Sequence, residues 1–134
     1  MTALGDYLTR VAARRRQAGV WDCCTFPAEW VMTLGQPDPM AHWRGRYATE
    51  ADGVEQVGAA GLAAAFAEGL DPLFPRTTGE YAPGDVAVIA TAGQEAGAIY
   101  CGKRWAFVLD RGLGFMHVEP DCIVAAWGVS AWAQ

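Results

Sequence analysis

The most informative stretch of this sequence is Asp22-Cys23-Cys24-Thr25-Phe26. It precedes an apolar run, residues 26–34, that predicts a helix ended by Gly35. Asp22 is a favoured N-cap residue, because its carboxylate can accept hydrogen bonds from the free N–H groups of the first helical turn. A cysteine in that turn lies at the positive end of the helix dipole, which favours thiolate over thiol. Cys23 is therefore a candidate nucleophile.

The composition predicts one globular domain over residues 1–134. A chain of this length can bury a hydrophobic core without a disulfide or a structural metal. Hydrophobic residues make up 52% of the chain and charged residues 19%, a balance typical of folded proteins. The sequence contains neither a glycine-rich phosphate loop nor a calcium loop, so we expect no cofactor.

The net charge of −5 argues against sequence-independent binding of nucleic acid, and equally against docking on an anionic membrane. No apolar run approaches the roughly 18–20 residues of a membrane span. The first twenty residues also lack the apolar stretch of a secretion signal. We therefore expect the protein to fold in the cytoplasm, which the resemblance described below would make that of a bacterium.

The four cysteines are expected to be free thiols in a reducing compartment. Cys101 and Cys122 lie in, or at the edge of, apolar strand patterns, which predicts that they pack in the core. Cys23 and Cys24 could likewise be core residues without a chemical role, since a free cysteine packs as a small hydrophobic residue. A zinc site is disfavoured, because the paired metal-ligand spacings of cysteine and histidine are missing and adjacent cysteines do not readily chelate one tetrahedral ion.

The order of predicted elements indicates the fold class. Apolar periodicity predicts an amphipathic helix over residues 2–18, ended by Gly19, and further helices over 22–34, 49–57 and 62–68. Strands are predicted at 86–89, 96–101, 104–109, 115–118 and 123–129, with Gly102-Lys103 as a two-residue turn. Helices followed by a meander of strands predict an α+β fold with a largely antiparallel sheet of about five strands.

An Asp-Cys pair at a helix start, followed by Pro83-Gly84-Asp85-Val86 and then Ala98-Ile99-Tyr100-Cys101-Gly102, resembles the NlpC-type papain-like cysteine peptidases. The resemblance implies a papain-like fold, with N-terminal helices packed on a C-terminal antiparallel sheet and Cys23 as the nucleophile. In those enzymes the general base is a histidine at the start of the second strand. Alignment places Ala96 there, and a thiolate without an imidazole cannot readily protonate a leaving amine. The sequence therefore favours a protein that is not an enzyme.

Three other residues are candidates for a relocated base. His117, at the end of the fourth predicted strand, could approach Cys23 from a neighbouring strand. Alternatively, His117 is a partly exposed strand residue near Glu119 with no catalytic role. His42 lies in the aromatic loop after the cysteine helix, and Glu95 stands next to the aligned alanine.

The chain resembles more closely a family of proteins encoded in phage and prophage tail gene clusters. The shared features are residues 21–26, Trp30-Val31, Leu34-Gly35, Arg44-Gly45-Arg46-Tyr47, residues 84–88 and Ala126-Trp127. This resemblance implies a structural component of a phage tail, at the tip or hub, that binds other tail proteins and resides in the virion. Two alternatives stay open: a cysteine peptidase or amidase that cleaves peptidoglycan peptides during DNA entry, and a tail assembly factor.

Six tryptophans are many for a chain of this length. Most are expected in the core, but exposed large aromatics are typical anchors of protein interfaces. Trp43 in the aromatic loop and Trp132 in the apolar C-terminal segment are the interface candidates. Tyr47, at the end of the same aromatic loop, is the third.

Overall fold

The computed structural model describes residues 2–58 and 61–132, apart from the side chain of Trp132. Within these residues, four α-helices precede a five-stranded antiparallel sheet, so the predicted α+β class is confirmed. The helices are Ala3–Val11 (α1), Thr25–Thr33 (α2), Glu50–Val57 (α3) and Gly61–Leu70 (α4). The strands are Val86–Thr91 (β1), Gln94–Tyr100 (β2), Trp105–Leu109 (β3), Gly112–Met116 (β4) and Ile123–Trp127 (β5).

The sheet is open, with the strand order β4-β3-β2-β1-β5. The interior strand β1 pairs with β2 on one side and with the edge strand β5 on the other. Because side chains alternate along a strand, Val86 and Val88 face the helices, whereas Ala87 and Ile89 face away from them. Both faces of β1 are buried, which explains why this segment is a continuous apolar run in the sequence.

The main core lies between the helices and the sheet, and two polar bonds inside it fix the position of α2. The Trp30 indole N–H donates to the Gly84 carbonyl at 2.9 Å, which connects α2 to the turn before β1. The Tyr7 hydroxyl donates to the Phe26 carbonyl at 2.6 Å, which connects α1 to α2. The aromatic rings of the two helices also pack on each other, since the Tyr7 ring centroid lies 5.9 Å from that of Phe26 and 5.7 Å from that of Trp30.

The first helix is much shorter than predicted, because it ends at Val11 and not at residue 18. Beyond it the chain pairs with the β3–β4 hairpin: the Leu113 N–H donates to the Ala12 carbonyl at 3.0 Å, and the Arg16 N–H donates to the Asp110 carbonyl at 3.1 Å. These non-local bonds compete with continued helix, and Arg14, Arg15 and Arg16 consequently lie outside any helix.

Strand β4 is also displaced from its prediction, since it covers Gly112–Met116 and His117 follows its last residue. The strand includes Gly112 and Gly114, and neighbouring atoms approach both too closely for a larger residue. A Cβ atom on Gly112 would lie 2.6 Å from the Ala12 carbonyl oxygen, and one on Gly114 would lie 2.4 Å from the Leu109 side chain. The predicted turn at Gly102-Lys103 is present, because the Cys101 N–H donates to the Arg104 carbonyl at 2.8 Å.

The helices in the described part of the chain are all too short to cross a bilayer.

Candidate functional site

The site is organised by Asp22, whose side chain is only 5% exposed. Its Oδ1 atom accepts hydrogen bonds from the backbone N–H groups of Cys24 and Thr25, each at 2.9 Å. In return, the Asp22 N–H donates to the Thr25 hydroxyl at 2.8 Å. Asp22 therefore accepts from free N–H groups at the helix start, as predicted, but α2 begins at Thr25 with Cys24 in the N-cap position, three residues after its predicted start.

The second oxygen of the same carboxylate connects two further segments to the helix start. Asp22 Oδ2 accepts from the Gly19 N–H at 2.9 Å and from the Tyr47 hydroxyl. The carboxylate therefore has four donors, drawn from the turn before α2, from its first turn and from the aromatic loop. A buried carboxylate with this many partners is fully satisfied.

Cys23 lies where the first turn of α2 meets strand β2. A Cβ atom on Gly97 would lie 2.2 Å from the Cys23 carbonyl oxygen, so only glycine permits this approach. The Cys23 thiol, which is partly buried, lies beside the Cys24 thiol and the Gly97 N–H. Cys24 is buried and also lies in contact with the Tyr47 hydroxyl.

These contacts shift the pKa values of the two thiols in opposite directions. Donation by the Cys24 thiol lowers the pKa of Cys23, helped by the Gly97 N–H and opposed by burial. The pKa of Cys24 is raised well above its ordinary value by the same bond and by burial. Burial and the neighbouring thiol also raise the pKa of Tyr47. The arrangement therefore makes Cys23 the more acidic of the two thiols.

Neither histidine lies at the Cys23 thiol. His117 follows edge strand β4, which β3 separates from β2, and its exposed ring pairs with Glu119 at 3.3 Å. His42 is exposed and packs edge-on against Trp43, with ring centroids 5.3 Å apart. Across the residues that the structure describes, no hydrogen bond joins an imidazole to Cys23.

The position aligned with the peptidase histidine is on the far face of the sheet. Ala96 packs with the cluster that faces away from the helices, whereas Gly97 is the β2 residue that meets Cys23. An imidazole at residue 96 would therefore point away from the thiol. Glu95 shares the helix-facing side, but its carboxylate accepts from the Leu62 N–H at 2.9 Å in the first turn of α4.

The interface candidates have different surroundings. Trp43 is partly buried against the main core, and its indole N–H is buried with no hydrogen-bond partner among the described residues. Tyr47 makes the internal bond to Asp22 described above and stacks beside Gly53, where a Cβ atom would lie 3.1 Å from its ring. The side chain of Trp132 lies outside the described part of the chain.

The sequence located Asp22 and Cys23 but not their partners. Tyr47 and Gly97 reach the site from distant segments, and only a glycine inside an otherwise apolar strand pattern gave a signal of close backbone approach. Cys101 and Cys122 are partly buried free thiols. Residues 2–58 and 61–132 contain no grouping of three or more potential metal ligands.

Fold and site together define an α+β domain in which a helix start presents an acidic thiol to an antiparallel sheet. The chain belongs to the family described as a domain of unknown function, DUF6950, which matches residues 1–129. No significant match was found among curated proteins or among solved structures.

Proposed function

We propose that the protein is a structural component of a phage or phage-like tail, at the tip or hub, built on an NlpC-like papain fold that does not hydrolyse peptides. The observation that carries the non-catalytic part is the set of partners around Cys23. The Cys23 sulfur lies beside the Cys24 thiol and the Gly97 N–H, and all four donors around the neighbouring Asp22 carboxylate are backbone N–H groups or the Tyr47 hydroxyl.

Amide hydrolysis by a thiolate needs a group that protonates the leaving amine. The Cys24 thiol donates to Cys23 and has a raised pKa, so it is a poor proton donor at neutral pH. The Tyr47 hydroxyl donates to Asp22, and its pKa is raised as well. A thiolate with only these neighbours fits a site retained for packing and capping.

The tail assignment is supported by the resemblance of residues 21–47 to tail-cluster proteins. In that setting the partners are other tail-tip or hub proteins and the final location is the virion tail. The test is co-expression of the full chain with each protein encoded beside it, followed by size exclusion. A stable complex with at least one neighbour is expected, and migration of the chain alone in every pairing would contradict the proposal.

Mass spectrometry of purified particles separates the structural role from an assembly role. A structural component is present in finished particles at a fixed ratio to the other tail proteins. Its absence from particles whose assembly requires it would replace our proposal with that of an assembly factor.

One observation favours a second function, a cysteine peptidase or amidase acting on cell-wall peptides. The pKa of Cys23 is lowered, which is the property of an activated nucleophile. Peptidoglycan fragments incubated with the protein and analysed by mass spectrometry test it, with Cys23→Ser as the inactive variant and Cys122→Ser as the matched control. Cleavage that only Cys23→Ser abolishes would establish this activity and overturn the non-catalytic proposal.

A further inference from the structure

The two edges of the sheet differ in how well they are covered. Outside β5, the Thr77 N–H donates to the Ala126 carbonyl at 3.0 Å, and the Gly128 N–H donates to the Pro75 carbonyl at 2.8 Å. Outside β4, only the first half is covered, by the bond from Leu113 to Ala12. The remaining half, residues 115–117, is named here the β4 edge.

The β4 edge presents unpaired backbone groups. Strand geometry repeats every two residues, so the outward N–H of Leu113 implies that the N–H and carbonyl of Phe115 also point outward. No hydrogen bond to either group occurs within the described ranges. An edge in this state is a template for an added strand.

Exposed apolar side chains flank these backbone groups. Leu109 is 45% exposed, Phe115 is 44% exposed and Met116 is 42% exposed. Phe115 lies on the helix-facing side of the sheet and Met116 on the other, opposite Trp105. An added strand would cover apolar surface on both sides of the sheet.

A positive hollow adjoins the β4 edge. Lys103 and Arg104 line a hollow of about 490 Å³ together with Cys101, Gly102 and Phe115. In the part of the chain that the structure describes, neither cation has a carboxylate partner. The carboxylate of Glu119, four residues after Phe115, pairs with His117. This local positive charge stands out in a protein whose net charge is −5.

We propose that the β4 edge binds an extended, acidic segment of a partner protein by strand addition. The backbone of the segment pairs with Phe115. Its apolar side chains cover Met116 on one face of the sheet, and its carboxylates, on the face of Phe115, enter the hollow beside Lys103 and Arg104. If the proposed function is correct, the segment belongs to a neighbouring tail protein; the binding chemistry itself does not depend on that function.

A second copy of the chain fits this surface poorly. Two-fold antiparallel pairing centred on Phe115 would place the outer edge of Leu113 against His117 of the other copy. That edge is already occupied by Ala12. A short segment from a different protein needs only the uncovered half.

The test uses two blocked decapeptides, one alternating valine with glutamate and the other valine with lysine. Each is titrated into the isotope-labelled full chain and followed by amide chemical shifts. The glutamate peptide is expected to bind at least about tenfold more tightly. Shifts should concentrate at residues 103–104 and 113–117.

Phe115→Pro removes the outward N–H, and proline is tolerated on a strand edge that faces solvent. It should weaken binding by at least about tenfold, whereas the matched control Phe115→Val keeps the N–H and should stay within about threefold. Folding of each variant is checked by its amide spectrum.

Charge reversal is the independent test. The double variant Lys103→Glu, Arg104→Glu should reverse the preference between the two peptides, and Arg111→Glu at the other end of the hairpin should not. Equal binding of the peptides, shifts elsewhere, or self-association that Phe115→Pro abolishes would overturn the proposal. Failure here leaves the tail assignment standing, because co-migration with tail proteins does not depend on this surface.

Discussion

At the scale of single residues, Asp22 connects segments that are distant in sequence. A capping residue ordinarily serves only its own helix, with an effect of about 1 kcal/mol. Here the second carboxylate oxygen also binds Gly19 and Tyr47, so the start of α2, the preceding turn and the aromatic loop share one anion. Asp22 therefore helps to hold the helix start, and with it Cys23, in place against β2.

Asp22→Ala is expected to lower the free energy of unfolding by about 2–4 kcal/mol, because it removes a helix cap and leaves buried N–H groups without acceptors. Urea unfolding measures the change. Glu55→Ala, an exposed acidic position on α3, is the control and should change stability by less than about 0.5 kcal/mol. Similar losses for both variants would show that the Asp22 bonds contribute little.

Cys24→Ala is expected to raise the pKa of Cys23, because it removes the main hydrogen-bond donor to the thiolate while burial remains. A raised pKa means less thiolate at neutral pH, so alkylation of Cys23 by iodoacetamide should slow by roughly an order of magnitude at pH 7. Site-resolved mass spectrometry across roughly pH 5 to 10 gives the midpoint of the rate profile.

Cys122→Ala is the matched control for this measurement and should leave the Cys23 profile unchanged. In the unmodified protein the midpoint for Cys23 should lie below that of an ordinary thiol. An unchanged midpoint in Cys24→Ala would mean that the neighbouring thiol is not what stabilises the thiolate.

At the scale of elements, the β1–β2 hairpin contains a backbone conformation that its sequence does not suit. Ala92 has φ 52° and the next residue, Gly93, has φ 76°. Positive φ at both central residues is the type I′ turn, for which Asn-Gly is strongly preferred. Alanine in this region is strained, since its Cβ atom crowds the backbone.

Ala92→Asn is therefore expected to raise the free energy of unfolding by about 0.5–1 kcal/mol. Ala92→Val is the opposing variant, and it should destabilise because a β-branched side chain tolerates positive φ least. Thermal and urea unfolding of the three proteins give the order Asn, Ala, Val. Any other order would mean that the turn relaxes to a different type.

The same scale shows what sequence alone can predict here. The hydrogen bonds from the Asp22 carboxylate to the following N–H groups and the run of β1 depend on neighbouring residues, and these predictions are confirmed, whereas α2 begins three residues later than predicted. The end of α1 and the extent of β4 depend on the pairing of Ala12 with Leu113, which no local pattern encodes. The site divides in the same way: Cys23 is predictable from its cap, whereas Gly97 reaches it only through the packing of helix on sheet.

At the scale of the whole molecule, stability is distributed unevenly around the site. Strand β1 is buried on both faces, and α2 is buried along most of its length. Helix α3 contains no buried residue, and its Val54 is 70% exposed. A segment with few buried apolar contacts can open locally while the rest of the protein stays folded.

The backbone amides of α3 are accordingly expected to exchange with solvent deuterium at least about 100-fold faster than those of β1, because α3 can open while the core stays folded. Hydrogen exchange followed by mass spectrometry or NMR measures this. Helix α2 is the matched control, since it has nine residues against eight in α3 but is buried, and its protection should resemble that of β1. Equal protection of α3 and β1 would instead mean that α3 opens only when the whole domain unfolds, and that its contacts with α4 and with Tyr47 are stronger than its exposure implies.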